Sequence, residues 1–236
     1  MTADGPALRR ATLAVYAVFI LAGFAFASWA SRIPQVRDAL ELSPQALGLV
    51  LLAIATGSVL SMPLAGVVVG RLGTARTIAV MTLVAAVGLA TAAIGIRIGV
   101  APVVVGLFLV GIGVGTWDVA MNVEGTAVEL GLGRAIMPRF HAGFSVGTVA
   151  GALIGSAMVA LGVSATVHVL AVAVIVAIVG PASVRSFLAP AQASGEHGEA
   201  RSPALASSMR APSMASTALV AMGSSPSRRC RCRSSM

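Results

Sequence analysis

The chain has 236 residues, of which 57% are hydrophobic and only 10% are charged. About a quarter of the residues in a water-soluble domain are charged, so this composition excludes a soluble globular protein and predicts an integral membrane protein. The net charge of +8 would also fit a nucleic-acid-binding protein. In a membrane protein such charge sets orientation instead, and we expect lipid and no nucleic acid as partners.

Six apolar runs follow one another along the chain, each about as long as a helix that crosses ~30 Å of hydrocarbon. The first run follows Arg9 and Arg10 and resembles a signal peptide. Its length of about 20 residues and the later runs favour a membrane helix. The prediction is an all-α polytopic membrane protein. The predicted helices are about 11–31, 45–70, 77–96, 99–123, 140–163 and 166–182, after a short cytoplasmic N-terminus at 1–10.

The arginines in the connecting segments predict the orientation of the bundle. With a cytoplasmic N-terminus, the inner segments contain seven arginines and the outer segments contain three. Because positively charged segments stay in the cytoplasm, we expect a bacterial inner membrane protein with both termini inside. The inner set is Arg9, Arg10, Arg71, Arg76, Arg134, Arg139 and Arg185, and the outer set is Arg32, Arg37 and Arg97.

Residues 188–236 differ in composition from the rest of the chain. They are rich in serine, alanine, proline and arginine and contain no Phe, Trp or Tyr. Such a segment cannot bury enough apolar surface to fold, so we predict a disordered basic tail. One interpretation is an arm that binds anionic lipid, at about 1 kcal/mol per nearby arginine. The other is a non-native continuation, in which a longer gene is truncated or frameshifted after about residue 187.

The fourth predicted helix contains an acid, Asp118, within an apolar run. On a helix Gly111, Gly115, Asp118 and Asn122 share one face. An ionised Asp facing lipid costs several kcal/mol, so such a residue normally faces the bundle interior or a water-filled cavity and marks an ion or substrate path. We therefore expect Asp118 to carry a coupling proton and Asn122 to hydrogen-bond it or a solute. The alternative is a structural acid, within a turn or two of the inner boundary.

Four other residues are candidates for the same path. His141 is able to relay a proton, although a lone His at a helix end is more often interfacial. Ser145 follows His141 by one helical turn. Trp29 and Trp117 offer rings that stack on a sugar-like solute, and Trp29 is equally an interface anchor.

Glycines recur every fourth residue in the fifth predicted helix. This spacing places them on one face, where the absence of side chains permits close packing against another helix. We expect the two glycines of the fourth helix to pack in the same way, and Glu124 and Glu129 after that helix to be solvated loop charges. The packing glycines are Gly111, Gly115, Gly143, Gly147, Gly151 and Gly155.

The junction of the second and third predicted helices resembles the signature loop of the major facilitator superfamily. That loop reads Gly, three residues, Asp, Arg, any residue, Gly, and then basic residues. Gly66, Arg71 and Gly73 match it, and Arg76 supplies a later basic residue. Gly70 stands where the family has its acid.

A second resemblance points to the fucose-permease-like branch of this superfamily. Asp118 lies four residues before Asn122, like the helix-4 carboxylate of that branch, and Arg139 and His141 follow. The branch also uses an acid in helix 1, and here Ala27 lies nearest its place. The resemblance covers about residues 11–187 and implies the N-terminal six-helix half of a twelve-helix transporter, with two inverted three-helix repeats.

The function implied by this resemblance is secondary active transport. A small polar solute, sugar-like or another metabolite, would move by alternating access with proton coupling through Asp118, and a second half-domain or a second copy would complete the site. One alternative is a non-transporting six-helix fragment or membrane interaction module. Another is a drug efflux transporter, although the Gly-Pro pair of antiporters is absent from helix 5. The sequence has no nucleophile elbow, phosphate loop, metal-ligand cluster or dinucleotide fingerprint, so we predict a non-enzyme without metal or cofactor.

Overall fold

The structure is a computed structural model that describes residues 5–187. The predicted disordered tail at 188–236 therefore lies outside the described residues. The described part contains α-helices and one 3-10 turn and no β-strand. The elements are α1 (Gly5–Ala30), α2 (Ile33–Ala39), α3 (Pro44–Leu72), α4 (Thr74–Gly95), α5 (Val100–Leu132), α6 (Met137–Ala160), α7 (Ala165–Ser183) and the 3-10 turn Val184–Ser186.

Six helices in residues 5–187 are long and apolar enough to cross a membrane, namely all but the short α2. The prediction of an all-α chain with six such helices is confirmed. The apolar runs form helices because a helix satisfies every backbone hydrogen bond internally, which the bilayer core demands. Several helix starts also carry local signals: the Ser43 hydroxyl accepts a hydrogen bond of 3.2 Å from Ala46 N, and Pro44 begins α3.

Helix α5 is longer than predicted. It continues to Leu132, where Gly133 adopts a left-handed conformation (φ 61°) and ends the helix. The prediction of an inner loop that begins at Glu124 is therefore wrong, because Glu124 is a buried helical residue. Asp118 lies fourteen residues before the helix end, a distance of about 21 Å along the axis. It is thus near the middle of its helix.

Part of the helix packing follows a symmetric pattern. Helix α1 packs against α6, α5 packs against α3 and α4, and α4 packs against α7. If α1, α3 and α4 form one repeat and α5, α6 and α7 form the other, the symmetry relates α1 to α5 and α3 to α6. The α1–α6 contact then corresponds to the α5–α3 contact, and the structure contains both.

The α1–α6 and α3–α5 contacts are both made through glycine. A Cβ atom at Gly147 of α6 would overlap the carbonyl oxygen of Ile20 in α1, and one at Gly151 would overlap that of Phe24. In the other pair, a Cβ at Gly111 of α5 would overlap a backbone carbonyl of α3. The helix backbones therefore approach each other more closely than any larger residue permits.

Candidate functional site

A cavity of about 210 Å³ lies where the six long helices converge. Each of these helices contributes at least one residue to its wall. The helices other than α1 reach it with residues away from their ends, whereas α1 reaches it with its C-terminal part up to Trp29. All of the lining residues are helical, so the cavity lies between helices and not at a loop. Representative wall residues are Phe26 of α1, Ile54 of α3, Ala85 of α4, Asp118 of α5, Phe144 of α6 and Val176 of α7.

Asp118 places a carboxylate on this wall. Its side chain is exposed in the structure, and no group among residues 5–187 hydrogen-bonds the carboxylate oxygens. His141 of α6 lies within electrostatic range of it. A carboxylate in apolar surroundings is costly to ionise without a partner, so this position favours proton uptake or pairing with a cation.

Trp29 and Trp117 lie on the same wall. Their side chains are largely enclosed, with 5% and 1% of their surface exposed. Both indole nitrogens are buried and have no hydrogen-bond partner among the described residues. Trp29 therefore packs inside the bundle, with its ring against the cavity and not toward lipid.

The other three predicted path residues do not line the cavity. The Asn122 amide donates a hydrogen bond of 2.8 Å to the backbone carbonyl of Asp118, not to its carboxylate. His141 Nδ1 lies 3.1 Å from the Met137 carbonyl oxygen, and the Ser145 hydroxyl donates to the His141 carbonyl at 3.3 Å. Each polar side chain thus makes a hydrogen bond to the backbone of its own helix. The structure brings Asp118, Trp29 and Trp117 together on the cavity wall, and the other three residues lie outside that wall.

The glycines of α5 face a different neighbour from Asp118. Gly111 and Gly115 are buried against α3, where a Cβ at Gly115 would lie 2.5 Å from Ser61 Oγ. The shared face predicted for these residues is therefore divided. Its glycines form a packing surface, and Asp118 lies at the edge of that surface and lines the cavity.

The residues of the signature loop lie almost entirely in helices. Gly66 and Arg71 belong to α3 and Arg76 belongs to α4, so that Gly73, with φ 78°, is the single connecting residue. No atom outside its own helix lies within 4 Å of a Cβ built at Gly66. This glycine therefore makes no close helix contact within residues 5–187.

Glu124 and Glu129 are not solvated loop charges, so that prediction is wrong. Glu124 is only 3% exposed and accepts a hydrogen bond of 2.5 Å from the Thr74 hydroxyl, which joins α5 to the start of α4. Glu129 Oε2 accepts hydrogen bonds from the backbone N–H groups of Ile136 (2.7 Å) and Met137 (2.6 Å). It thereby caps α6 across the α5–α6 connection, which satisfies donors that a helix start leaves unpaired.

The structure also contains a buried pair of basic residues that no local sequence pattern predicts. Arg32 Nε donates a hydrogen bond of 2.9 Å to His168 Nδ1, and the two residues are 1% and 4% exposed. Because a guanidinium group only donates, Nδ1 is the acceptor and the imidazole is neutral with its proton on Nε2. The pair joins the segment after α1 to the first turn of α7.

Comparison with known proteins gives two relatives. The chain is 35% identical over 153 residues to an uncharacterised MFS-type transporter of Yersinia pestis. The aligned residues are 65% of this chain and 39% of that protein. The chain is also 35% identical over 162 residues to an uncharacterised transporter of Sinorhizobium fredii. Here the aligned residues are 67% of this chain and 42% of that protein. The chain thus spans about two fifths of the length of the curated relatives it matches. No family model and no solved structure matches it.

Six apolar helices in residues 5–187 define the chain as an integral membrane protein. Together with these relatives, they place it in the major facilitator superfamily (MFS). The helical domain is consistent with one six-helix half of such a protein.

Proposed function

We propose that this chain acts as one half of a secondary active transporter, which moves a small solute across the membrane by alternating access. One observation carries the proposal: Asp118 lines a cavity to which all six long helices contribute. An ionisable side chain inside such a bundle normally marks an ion or substrate path. The printed names of both relatives, which call them transporters, support the same function.

Proton coupling through Asp118 follows from its surroundings. The carboxylate has no hydrogen-bond partner among residues 5–187, so the ionised form depends on water, a solute or the nearby His141 for stabilisation. When the cavity closes and excludes water, the protonated form is favoured. Asp118 thereby loads a proton on one side of the membrane and releases it on the other.

The glycine contacts allow the helices to move relative to one another during alternating access. Side chains do not interlock where Gly147 and Gly151 meet α1, or where Gly111 and Gly115 meet α3. Helix pairs that meet through backbone shift past one another without repacking large side chains. Alternating access then consists of tilting these pairs around the fixed cavity.

A second six-helix body completes the cavity in this proposal, either a further half-domain or a second copy of the chain. Helices α3 and α6 are the least buried of the six long helices. Their apolar faces are suited to such a partner as well as to lipid. The N-terminus and the Gly73 connection face the bacterial cytoplasm, as Arg71 and Arg76 at that connection favour.

A vesicle assay tests the transport function. The full chain is reconstituted in liposomes that contain a pH-sensitive dye, and sugars, other polar metabolites and organic cations are added in turn. We expect at least one solute to drive proton movement, and Asp118→Asn to abolish it. Asp38→Asn is the matched control, since it removes an exposed acid that pairs with Arg37 outside the bundle. Equal proton movement in wild type and Asp118→Asn would contradict the proposal.

A further inference from the structure

We infer that the cavity beside Asp118 recognises an organic cation with an apolar or aromatic body, and not a sugar-like solute. This inference rests on the proposed function in one respect: it takes this cavity as the site where the solute binds. It comes from the chemistry of the wall, from which the predicted path residues Asn122, His141 and Ser145 are absent.

The wall offers almost no hydrogen-bonding groups. Of the fourteen described residues that form it, Asp118 is the one charged residue. Trp29 and Trp117 are the only others with a nitrogen or oxygen atom in the side chain, and the rest are Ala, Val, Ile, Leu, Met or Phe. Asn122 and Ser145, the polar residues predicted for this path, lie outside the wall and bond their own backbone.

The two tryptophans present ring carbon, not N–H groups, to the cavity. Both Nε1 atoms are buried, so a solute in the cavity does not reach them unless the wall rearranges. The indole rings therefore behave here as large apolar surfaces with an electron-rich face. Phe26 and Phe144 add two further rings to the same wall.

This wall disfavours a sugar. A sugar carries several hydroxyl groups, and each one that enters an apolar site without a partner loses its hydrogen bonds to water. Only the Asp118 carboxylate is available to replace those bonds on this side. Sites for such solutes contain several placed polar groups, and this wall has one.

The same wall suits an organic cation. A positive charge beside Asp118 supplies the partner that the carboxylate lacks among residues 5–187. The attraction is strong because the surroundings are apolar. An indole ring also attracts a cation that lies over its face within about 6 Å of the ring centroid, and Trp29 and Trp117 line the same wall. The volume of about 210 Å³ also holds a ring, since an apolar cavity of about 150 Å³ binds benzene.

The chain contains its own reporter for this site. It has two tryptophans, and both line the cavity. Tryptophan emission of the full chain in phosphatidylcholine nanodiscs therefore reports binding there. Three probes of graded chemistry are titrated: benzyltrimethylammonium, its neutral isostere neopentylbenzene, and glucose. Empty nanodiscs with dissolved tryptophan correct for probe partitioning into lipid.

We expect benzyltrimethylammonium to change the emission saturably. Its affinity should fall at least about tenfold in Asp118→Asn, and stay within about threefold of wild type in Asp118→Glu, which keeps the charge. Asp38→Asn should leave the affinity unchanged, and glucose should have no saturable effect. Circular dichroism checks that each variant keeps its helix content.

Several results would overturn the inference. They are saturable binding of glucose that the cation does not displace, neopentylbenzene binding as tightly as the cation, no saturable binding of the cation, and equal cation affinity in wild type and Asp118→Asn. Failure of the transport function is distinguishable. Asp118-dependent cation binding without proton movement in vesicles contradicts transport but keeps this site, whereas Asp118-dependent transport of glucose keeps transport and removes this inference.

Discussion

Arg32 Nε donates a hydrogen bond of 2.9 Å to His168 Nδ1, and this hydrogen bond joins the segment after α1 to the first turn of α7. Both side chains are buried, and the residues are 136 positions apart in sequence. The Arg32 guanidinium group is always charged, and it is therefore a buried cation. The neutral imidazole of His168 accepts a hydrogen bond from it and holds it in place. This end of the bundle therefore depends on a buried polar contact.

Removing this acceptor should destabilise the bundle. His168→Phe leaves the buried Arg32 side chain without its hydrogen-bond acceptor among residues 5–187, and we expect the free energy of unfolding to fall by about 3 kcal/mol. Thermal unfolding in nanodiscs, followed by circular dichroism, measures the change. The control is His141→Phe, because His141 is exposed and should shift stability by no more than about 0.5 kcal/mol. Equal melting temperatures for the two variants would count against a structural role for the pair.

The glycine contact between α1 and α6 should tolerate no side chain. Gly147→Ala places a methyl group against the Ile20 carbonyl oxygen, so the two helices must separate, at a cost of about 2–3 kcal/mol. The matched control is Gly66→Ala, since a methyl group there meets open space. It should stabilise α3 by up to about 1 kcal/mol through helix propensity. Chemical unfolding in detergent measures the change in the free energy of unfolding, which should be opposite in sign for the two variants. Destabilisation of the same size by both variants would contradict a close α1–α6 contact at Gly147.

The α5–α6 connection should depend on one carboxylate. Glu129→Ala removes the acceptor for the N–H groups of Ile136 and Met137, and we expect a loss of about 1–2 kcal/mol. Glu129→Gln keeps an acceptor oxygen and should recover part of that loss. Amide hydrogen exchange gives a local measurement, with faster exchange expected at Ile136 and Met137. Unchanged exchange at these two amides in Glu129→Ala would show that the cap does not hold the connection.

The six long helices could be predicted because each one is a continuous apolar run of bilayer length. The position of Asp118 beside a cavity could also be anticipated, since an ionisable group in such a run cannot face lipid cheaply. The end of α5 could not be predicted from composition. Glu124 and Glu129 look like loop charges, and only the folded structure shows that one is buried beside Thr74 and the other caps α6.

Contacts between distant residues explain the remaining differences. Nothing local indicates that Arg32 meets His168, because the pairing depends on how α1 and α7 pack. The polar residues Asn122 and Ser145 carry suitable groups for a solute path, but a helix offers each a backbone carbonyl one turn earlier. The spacing of residues in the sequence predicts which of them share a face of a helix. The partner of each side chain in a hydrogen bond depends on how the helices pack.

In the proposed function Asp118 exchanges a proton when a solute occupies the cavity. Infrared difference spectroscopy of the full chain in lipid measures this directly, because a protonated carboxyl group has a C=O stretching band that the ionised form lacks. Each solute of the vesicle panel is added at fixed pH. We predict that at least one solute changes this band in wild type and in Asp38→Asn, and that the change is absent in Asp118→Asn. A carboxyl band change of equal size in Asp118→Asn, or none in wild type with any solute, would contradict the claim.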